Sequence, residues 1–315
     1  MENRCKNEPI LEIKELSVAF SMYQKGLHKQ DLEVLHKLNL SVMPGEILAV
    51  VGSSGSGKSI LAHAIMGILP GNAKVEGQMR YNGKVYTKKE QERLRGREIA
   101  FIPQSVDYLD PLMRVDRQVI GVHGTKEKQR KAFSRYRLKD EVESMYPFQL
   151  SGGMARRVLI STAVMNEAKL IIADEPTPGL NAEMAMETLH NFRELADSGC
   201  GVLLITHDID LAFKVADRIA VFYAGTTVEV APAKAFIEGK EALLHPYSRA
   251  FIDALPQNDF RPIEGTQPYA GDLPSGCIFA DRCPLRSDAC AGEIEMRKIG
   301  DREVRCIHAT GSQRY

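Results

Sequence analysis

The sequence has no excess of either charge: Lys+Arg and Asp+Glu both total 41 in 315 residues. That balance argues against a strongly basic nucleic-acid binder, although it leaves room for a local basic patch. Long apolar runs are also missing. A stretch such as Ile47 to Val51 has the length of a strand, far below the roughly 20 residues a membrane helix needs. The polar start, Met1 to Pro9, lacks the apolar centre of a secretory signal. These absences predict a cytosolic chain whose membrane association, where it exists, comes through a partner. What is present is ordinary: 44% apolar and 26% charged residues, in a length that suits one large or two small domains.

The six cysteines are unevenly placed. Cys5 and Cys200 are scattered, whereas Cys277, Cys283, Cys290 and Cys306 crowd the C-terminal end. In a cytosolic chain such a cluster points to a metal more than to disulfides. From about residue 255 the texture changes. Pro256, Pro262, Pro268, Pro274 and Pro284, with Gly265, Gly271 and Gly276, argue against regular helices or strands there. Before that point, buried-strand runs alternate with helical spacing. Ile10 to Ile13, Leu16 to Phe20, Glu46 to Val51, Gln78 to Tyr81, Ile99 to Ile102, Leu170 to Ala173, Val202 to Thr206 and Arg218 to Phe222 read as strands. Helices are expected over Ser59 to Leu69, about 182–197, and Asp210 to Ala216. The pattern is that of an α/β nucleotide domain over 1–240, followed by a small loop-rich extension over 241–315.

Gly52, Ser53, Ser54, Gly55, Ser56, Gly57, Lys58 and Ser59 fit the phosphate-loop pattern of Gly, four residues, Gly, Lys, then Ser or Thr. Glycines let backbone N–H groups converge on phosphate oxygens, and the helix that starts at the loop turns its positive end to the same place. Lys58 is expected to reach the β- and γ-phosphates, and Ser59 to offer its hydroxyl to Mg²⁺. The apolar strand Leu170 to Ala173 ends in Asp174 and Glu175, which is costly unless the charges face a cation or water. Asp174 is therefore the expected Mg²⁺ partner, and Glu175 the group that polarises an attacking water. His207, just past the next strand, lies on the same sheet edge, within reach of the γ-phosphate.

Leu150-Ser151-Gly152-Gly153-Met154, ahead of the acidic strand, resembles the ABC signature. By that resemblance the order is complete: Walker A at 52–59, Q-loop at Gln104, signature at 150–154, Walker B at 170–175, D-loop at 178–181 and switch His207. The resemblance implies a P-loop ABC ATPase with a RecA-like core, an antiparallel β subdomain and a shortened helical subdomain over about 105–165. Lys58, Gln104, Glu175 and His207 are then the catalytic set. Nucleotide contacts fall on 52–59, Ile60 and the signature residues Ser151, Gly152 and Gly153. Ser59, Gln104 and Asp174 hold Mg²⁺. Two such domains close head to tail, so each ATP lies between one Walker A and the other subunit's signature. The adenine is expected to meet an aromatic ring, Phe20 or its competitor Tyr23.

The C-terminal part, with His245-Pro246-Tyr247, Pro274-Ser275-Gly276-Cys277 and Arg282-Cys283-Pro284, is similar to the extension of oligopeptide, dipeptide and nickel importer ATPases. This implies a subunit at the cytoplasmic face of the cell membrane, powering uptake of peptides, nickel or a metal chelate. Its expected partners are two membrane permeases, a second ATPase subunit in a head-to-tail heterodimer and, indirectly, an extracytoplasmic solute-binding protein; no nucleic acid is expected. Some relatives hold a [4Fe-4S] cluster in such an extension, and Cys277, Cys283, Cys290 and Cys306 are the corresponding thiols. Zinc, or reduced structural cysteines, are the alternatives.

Three features depart from the pattern. Asn181 stands where the D-loop usually ends in aspartate. Met154-Ala155-Arg156-Arg157 replaces a glutamine-rich run. Finally, 46 residues separate Gln104 from Ser151, a short helical subdomain. The basic residues of 126–139 read as a solvated helix face or as a contact to lipid headgroups or the permease. A soluble ABC ATPase of DNA repair would need coiled-coil insertions for which 105–150 is too short, and a ribosome-associated one a second Walker A.

Overall fold

The computed structural model describes residues 8–23, 28–121, 124–165, 168–258 and 260–310, so Cys5 and most of the polar start lie outside the described residues. The chain opens with β1 (Leu11–Tyr23), β2 (Lys29–Val42) and β3 (Ile47–Gly52), then α1 (Lys58–Met66). Next come β4 (Ala73–Tyr81), β5 (Lys84–Val85), α2 (Lys88–Leu94) and β6 (Ile99–Ile102). The helical subdomain carries α3 (Val115–Ile120), α4 (Lys126–Arg135) and α5 (Gly152–Val164). Then β7 (Leu170–Asp174), α6 (Ala182–Asp197), β8 (Gly201–Ile205), α7 (Ile209–Val215), β9 (Arg218–Tyr223) and β10 (Thr226–Pro232) alternate. The tail adds α8 (Ala233–Glu238), α9 (Pro246–Asp253), β11 (Arg297–Ile299) and β12 (Arg302–Val304).

Two sheets result, an antiparallel one in the order β2-β1-β4-β5 and a mixed one in the order β11-β12-β10-β9-β3-β8-β7-β6. Strands β6, β7, β8, β3 and β9 run parallel, so their carboxyl ends share one edge, where α/β sheets place their ligands. Every residue of β3 and β7 is buried, as expected of strands covered on both faces. One apolar cluster joins Leu11, Ile13 and Leu40 of the antiparallel sheet to Leu61 and Ile65 of α1 and to β3. A second covers the opposite face with Phe236, Tyr247 and Phe279. The helical subdomain has its own core around Val115, Phe133, Val158 and Leu159.

Where two short strands were expected, β1 is continuous but bulged: its register slips between Lys14 and Ser17, and Glu15 takes φ +49°. The helix expected over Ser59 to Leu69 stops at Met66, because Gly67 adopts φ +65° and closes it with left-handed capping bonds to Ala64 and His63. Ile68 and Leu69 still pack on the core from the loop beyond. The expectation that the tail has no strands fails for β11 and β12. They pair through Gly300 at φ +62° and extend the main sheet by Glu229↔Val304. The last proline is Pro284, so the argument from prolines and glycines did not reach that hairpin.

The basic stretch has intrachain partners. Arg135 bonds Asn191 and Glu194, Arg137 reaches Glu183 and Glu187, and Lys126 pairs with Glu143. These contacts link α4 and the turn after it to their surroundings.

The tail docks through a buried carboxylate. Glu229 accepts the N–H groups of Leu244 (2.8 Å) and His245 (2.9 Å), and His245 Nδ1 caps α9 by accepting Tyr247 N–H at 3.0 Å. Burial pushes the His245 imidazole down to about 3. The folded protein thus keeps it neutral while the unfolded chain gains a proton below about pH 6.5. The stabilisation is complete above that pH and is lost as pH falls, by about 2 kcal/mol between pH 6.5 and 5. Burial shifts Glu229 upward, an effect of the opposite sign, so the comparison must be between variants. His245→Asn, which keeps a capping acceptor, should flatten the parent's loss of urea-unfolding free energy between pH 7 and 5; an unchanged slope would contradict this.

Candidate nucleotide-binding site

At the shared strand edge a cavity of about 450 Å³ is lined by Val34, Ser54, Gly55, Ser56, Gly57, Lys58, Ser59, Ile60, Gln104, Glu175 and His207. Residues far apart in sequence thus meet as the motif order implied. The loop between β3 and α1 takes this shape because two of its glycines are required. Gly57 has φ +95°, and a Cβ there would lie 2.7 Å from Leu35 Cδ2. At Gly52, with φ +156°, a Cβ would meet the Phe222 carbonyl oxygen of β9 at 2.4 Å. Lys58 Nζ folds back onto the carbonyls of Gly52 and Ser53, both at 2.9 Å. Burial lowers its pKa, against the pull of Glu175 and Asp174.

Asp174 ends β7 with its carboxyl beside the Ser59 hydroxyl. Its Oδ1 is nevertheless buried without a hydrogen-bond partner among the described residues. Burial raises its pKa, opposed by Ser59, His63, Lys58 and Arg156. An orphaned carboxylate oxygen beside a hydroxyl is the hard-oxygen donor set that suits Mg²⁺. Glu175 follows in the left-handed region at φ +50°, which costs a non-glycine residue energy and turns its side chain away from the strand's alternation. It is held there by its N–H to Ile205 O at 2.9 Å and by a carboxylate contact to His207 Nδ1.

Ser151, Gly152 and Gly153 do not line this cavity. They open α5 on the surface, where Ser151 Oγ accepts Met154 N–H at 3.3 Å. Phe20 is not brought to the cavity either; it packs partly buried against the main core, paired with Leu32. Its competitor Tyr23 is exposed beside Lys29. Val34 is the residue of the antiparallel sheet that does line the cavity, and sequence reasoning missed it.

Sequence reasoning also missed the work of Arg156. From α5 its guanidinium bonds Pro103 O at 2.9 Å and Gln104 O, which ties the signature helix to the Q-loop. The arginine that looked like a departure from the pattern is a clamp. Asn181 has a similar explanation: its side chain accepts Met184 N–H at 2.8 Å and caps α6, a duty asparagine and aspartate share.

The four tail cysteines are free thiols, Cys290 and Cys306 buried and the other two half-buried. Cys277 is pushed up to about 11 by burial and, to a smaller extent, by the other three. Cys290 Sγ lies 3.7 Å from the Ser287 hydroxyl and 3.6 Å from His308 Nε2. Among the described residues no group of three or more His, Cys, Asp or Glu stands where it could hold a metal ion. The expected iron–sulfur donor set does not stand as a metal-holding group among the described residues.

A phosphate loop, a carboxylate pair where β7 ends on the same sheet edge and a histidine beside the second carboxylate define a P-loop nucleotide hydrolase. Comparison with known proteins narrows the class. Residues 35–178 match the family model "ABC transporter", and 228–290 match "Oligopeptide/dipeptide transporter, C-terminal region". The dipeptide transport ATP-binding protein DppD of Haemophilus influenzae is 36% identical, with 94% of each chain covered. The oligopeptide transport ATP-binding protein OppD of Escherichia coli is 33% identical over 90% of this chain and 88% of its own. In fold, the chain resembles the dimeric ATP-binding cassette MJ0796 bound to ADP and Pi, with TM-score 0.63, 23% identity and coverage of 71% of this chain and 98% of that one. The chain belongs to the ABC transporter family, in its oligopeptide/dipeptide group, whose ATP-binding proteins hydrolyse ATP to power transport.

Proposed function

We propose that this chain is the ATP-hydrolysing subunit of an importer for di- or oligopeptides. The observation that carries the reading is one continuous likeness: relatives named for dipeptide and oligopeptide transport match nearly the whole chain, tail included. None of these named relatives supports the nickel or metal-chelate alternative, and no helix among the described residues is long and apolar enough to cross a membrane. The nucleotide domain spans 1–240 and the importer-type extension 241–315. The subunit sits at the cytoplasmic face of the cell membrane with two permeases, a second ATPase subunit and, indirectly, a solute-binding protein.

The residue roles belong to the same proposal. The N–H groups of 53–59 and the Lys58 ammonium hold the phosphates, and Ile60 continues the helix whose N-terminus faces them. Ser59, Gln104 and Asp174 would hold Mg²⁺, which supplies charge neutralisation between the phosphates. Glu175 accepts the proton of the attacking water; His207, held against it, contacts the γ-phosphate. Ser151 and Gly152, exposed at the start of α5, and the half-buried Gly153 complete the partner's site, so ATP links two subunits and its hydrolysis releases them.

Affinity purification of the tagged chain from native membranes should recover two permeases and a second ATPase. In the same preparation dipeptides or oligopeptides, and not Ni²⁺, should stimulate uptake and hydrolysis. Recovery with DNA or ribosomes would overturn the proposal.

A further inference from the structure

The C-terminal tail reaches back into the phosphate loop. Ser53 Oγ donates a hydrogen bond of 2.6 Å to Gln267 Oε1, across 214 positions of sequence. Tyr247, the buried aromatic of α9, also lies beside Ser53. The Ser53 carbonyl, in turn, accepts from Lys58 Nζ at 2.9 Å. Gln267 therefore holds the loop residue on which the phosphate-binding lysine rests, with Tyr247 beside it.

The segment that presents Gln267 is itself anchored. Arg282 binds the carbonyls of Glu264 (2.7 Å) and Ile263 (2.9 Å) and the Tyr223 hydroxyl (3.2 Å). Ile263 and Leu273 pack on the cluster that contains Tyr247 and Phe279. The chain of contacts runs from β9 through Arg282 and the 263–273 segment to Ser53, so Gln267 arrives at the loop on a fixed support. A phosphate loop binds through its own backbone and asks nothing of a distant tail. An external restraint on Ser53 lowers the ordering cost of the loop when phosphate arrives.

We propose that Gln267 is a positioning residue for ATP, acting through Ser53, so that the tail tunes nucleotide affinity from within the same chain. The proposal rests on the nucleotide site and is independent of the cargo.

The test uses the assembled transporter and reads KM and kcat for ATP. Gln267→Met keeps the volume and removes the acceptor; Ser53→Ala removes the donor. Each should raise KM by about two- to tenfold, the scale of one neutral hydrogen bond, with the loss falling on KM and not on kcat. The double variant should lose no more than either single one, because both delete the same bond. Ser53→Thr, which keeps a hydroxyl, should raise KM less than Ser53→Ala does. The proposal is overturned if the two losses multiply in the double variant, or if Gln267→Met leaves KM unchanged. Should Gln267→Met not assemble, Ser53→Ala against Ser53→Thr decides: equal KM values contradict the proposal.

Discussion

Glu175→Gln should leave ATP bound while slowing its hydrolysis by ~10²-fold or more, the scale of a lost general base. Glutamine has the same shape, so the strained backbone at φ +50° and the bond from its N–H to Ile205 O can persist. The amide can still meet His207 Nδ1, which Glu175 Oε2 contacts in the parent. Asp174 and Ser59, the proposed Mg²⁺ donors, are untouched. What disappears is the carboxylate proposed to accept a proton, at a position facing the cavity shared with Lys58 and Gln104. The variant should therefore accumulate the ATP-bound state in the assembled transporter. Turnover equal to the parent's in that assembly would remove Glu175 from the proposed role.

Lys58→Ala acts earlier. The ammonium is desolvated and held on two loop carbonyls, ready to exchange them for phosphate oxygens. Charge-assisted hydrogen bonds are worth about 1.5–3 kcal/mol each, so ATP affinity should fall by ten- to about a hundredfold. The fold should survive, because the loop is shaped by Gly52 and Gly57 against Phe222 and Leu35 and does not depend on the lysine. Equilibrium binding of a fluorescent ATP analogue, with circular dichroism as the control for folding, checks both halves. Unchanged affinity would contradict the assignment of the loop.

Much of this site was legible in the sequence because its chemistry is local. The phosphate loop needs glycines, a lysine and a serine at fixed spacing between a buried strand and a helix, and 47–66 supplies them within one short segment. The acidic ending of β7 was equally visible, since an apolar strand rarely closes on two carboxylates without a use for them. What escaped depends on tertiary contact. Arg156 reads as an ordinary helix residue until α5 brings it against the carbonyls of Pro103 and Gln104. Val34 lines the cavity only because the antiparallel sheet packs over α1. Gln267 sits in a Pro- and Gly-rich stretch with no periodicity to mark it. The tail cysteines differ again: spacing and resemblance suggested a metal centre, and among the described residues no group of three or more His, Cys, Asp or Glu stands where it could hold a metal ion.

The central claim is that ATP hydrolysis at this loop drives peptide import. It is tested most directly by rebuilding the complete transporter in liposomes and following a labelled dipeptide with ATP supplied on the side of this subunit. The account predicts ATP-dependent accumulation that Lys58→Ala or Glu175→Gln abolishes. Accumulation that persists in either variant, or ATP turnover that no peptide stimulates, would contradict it.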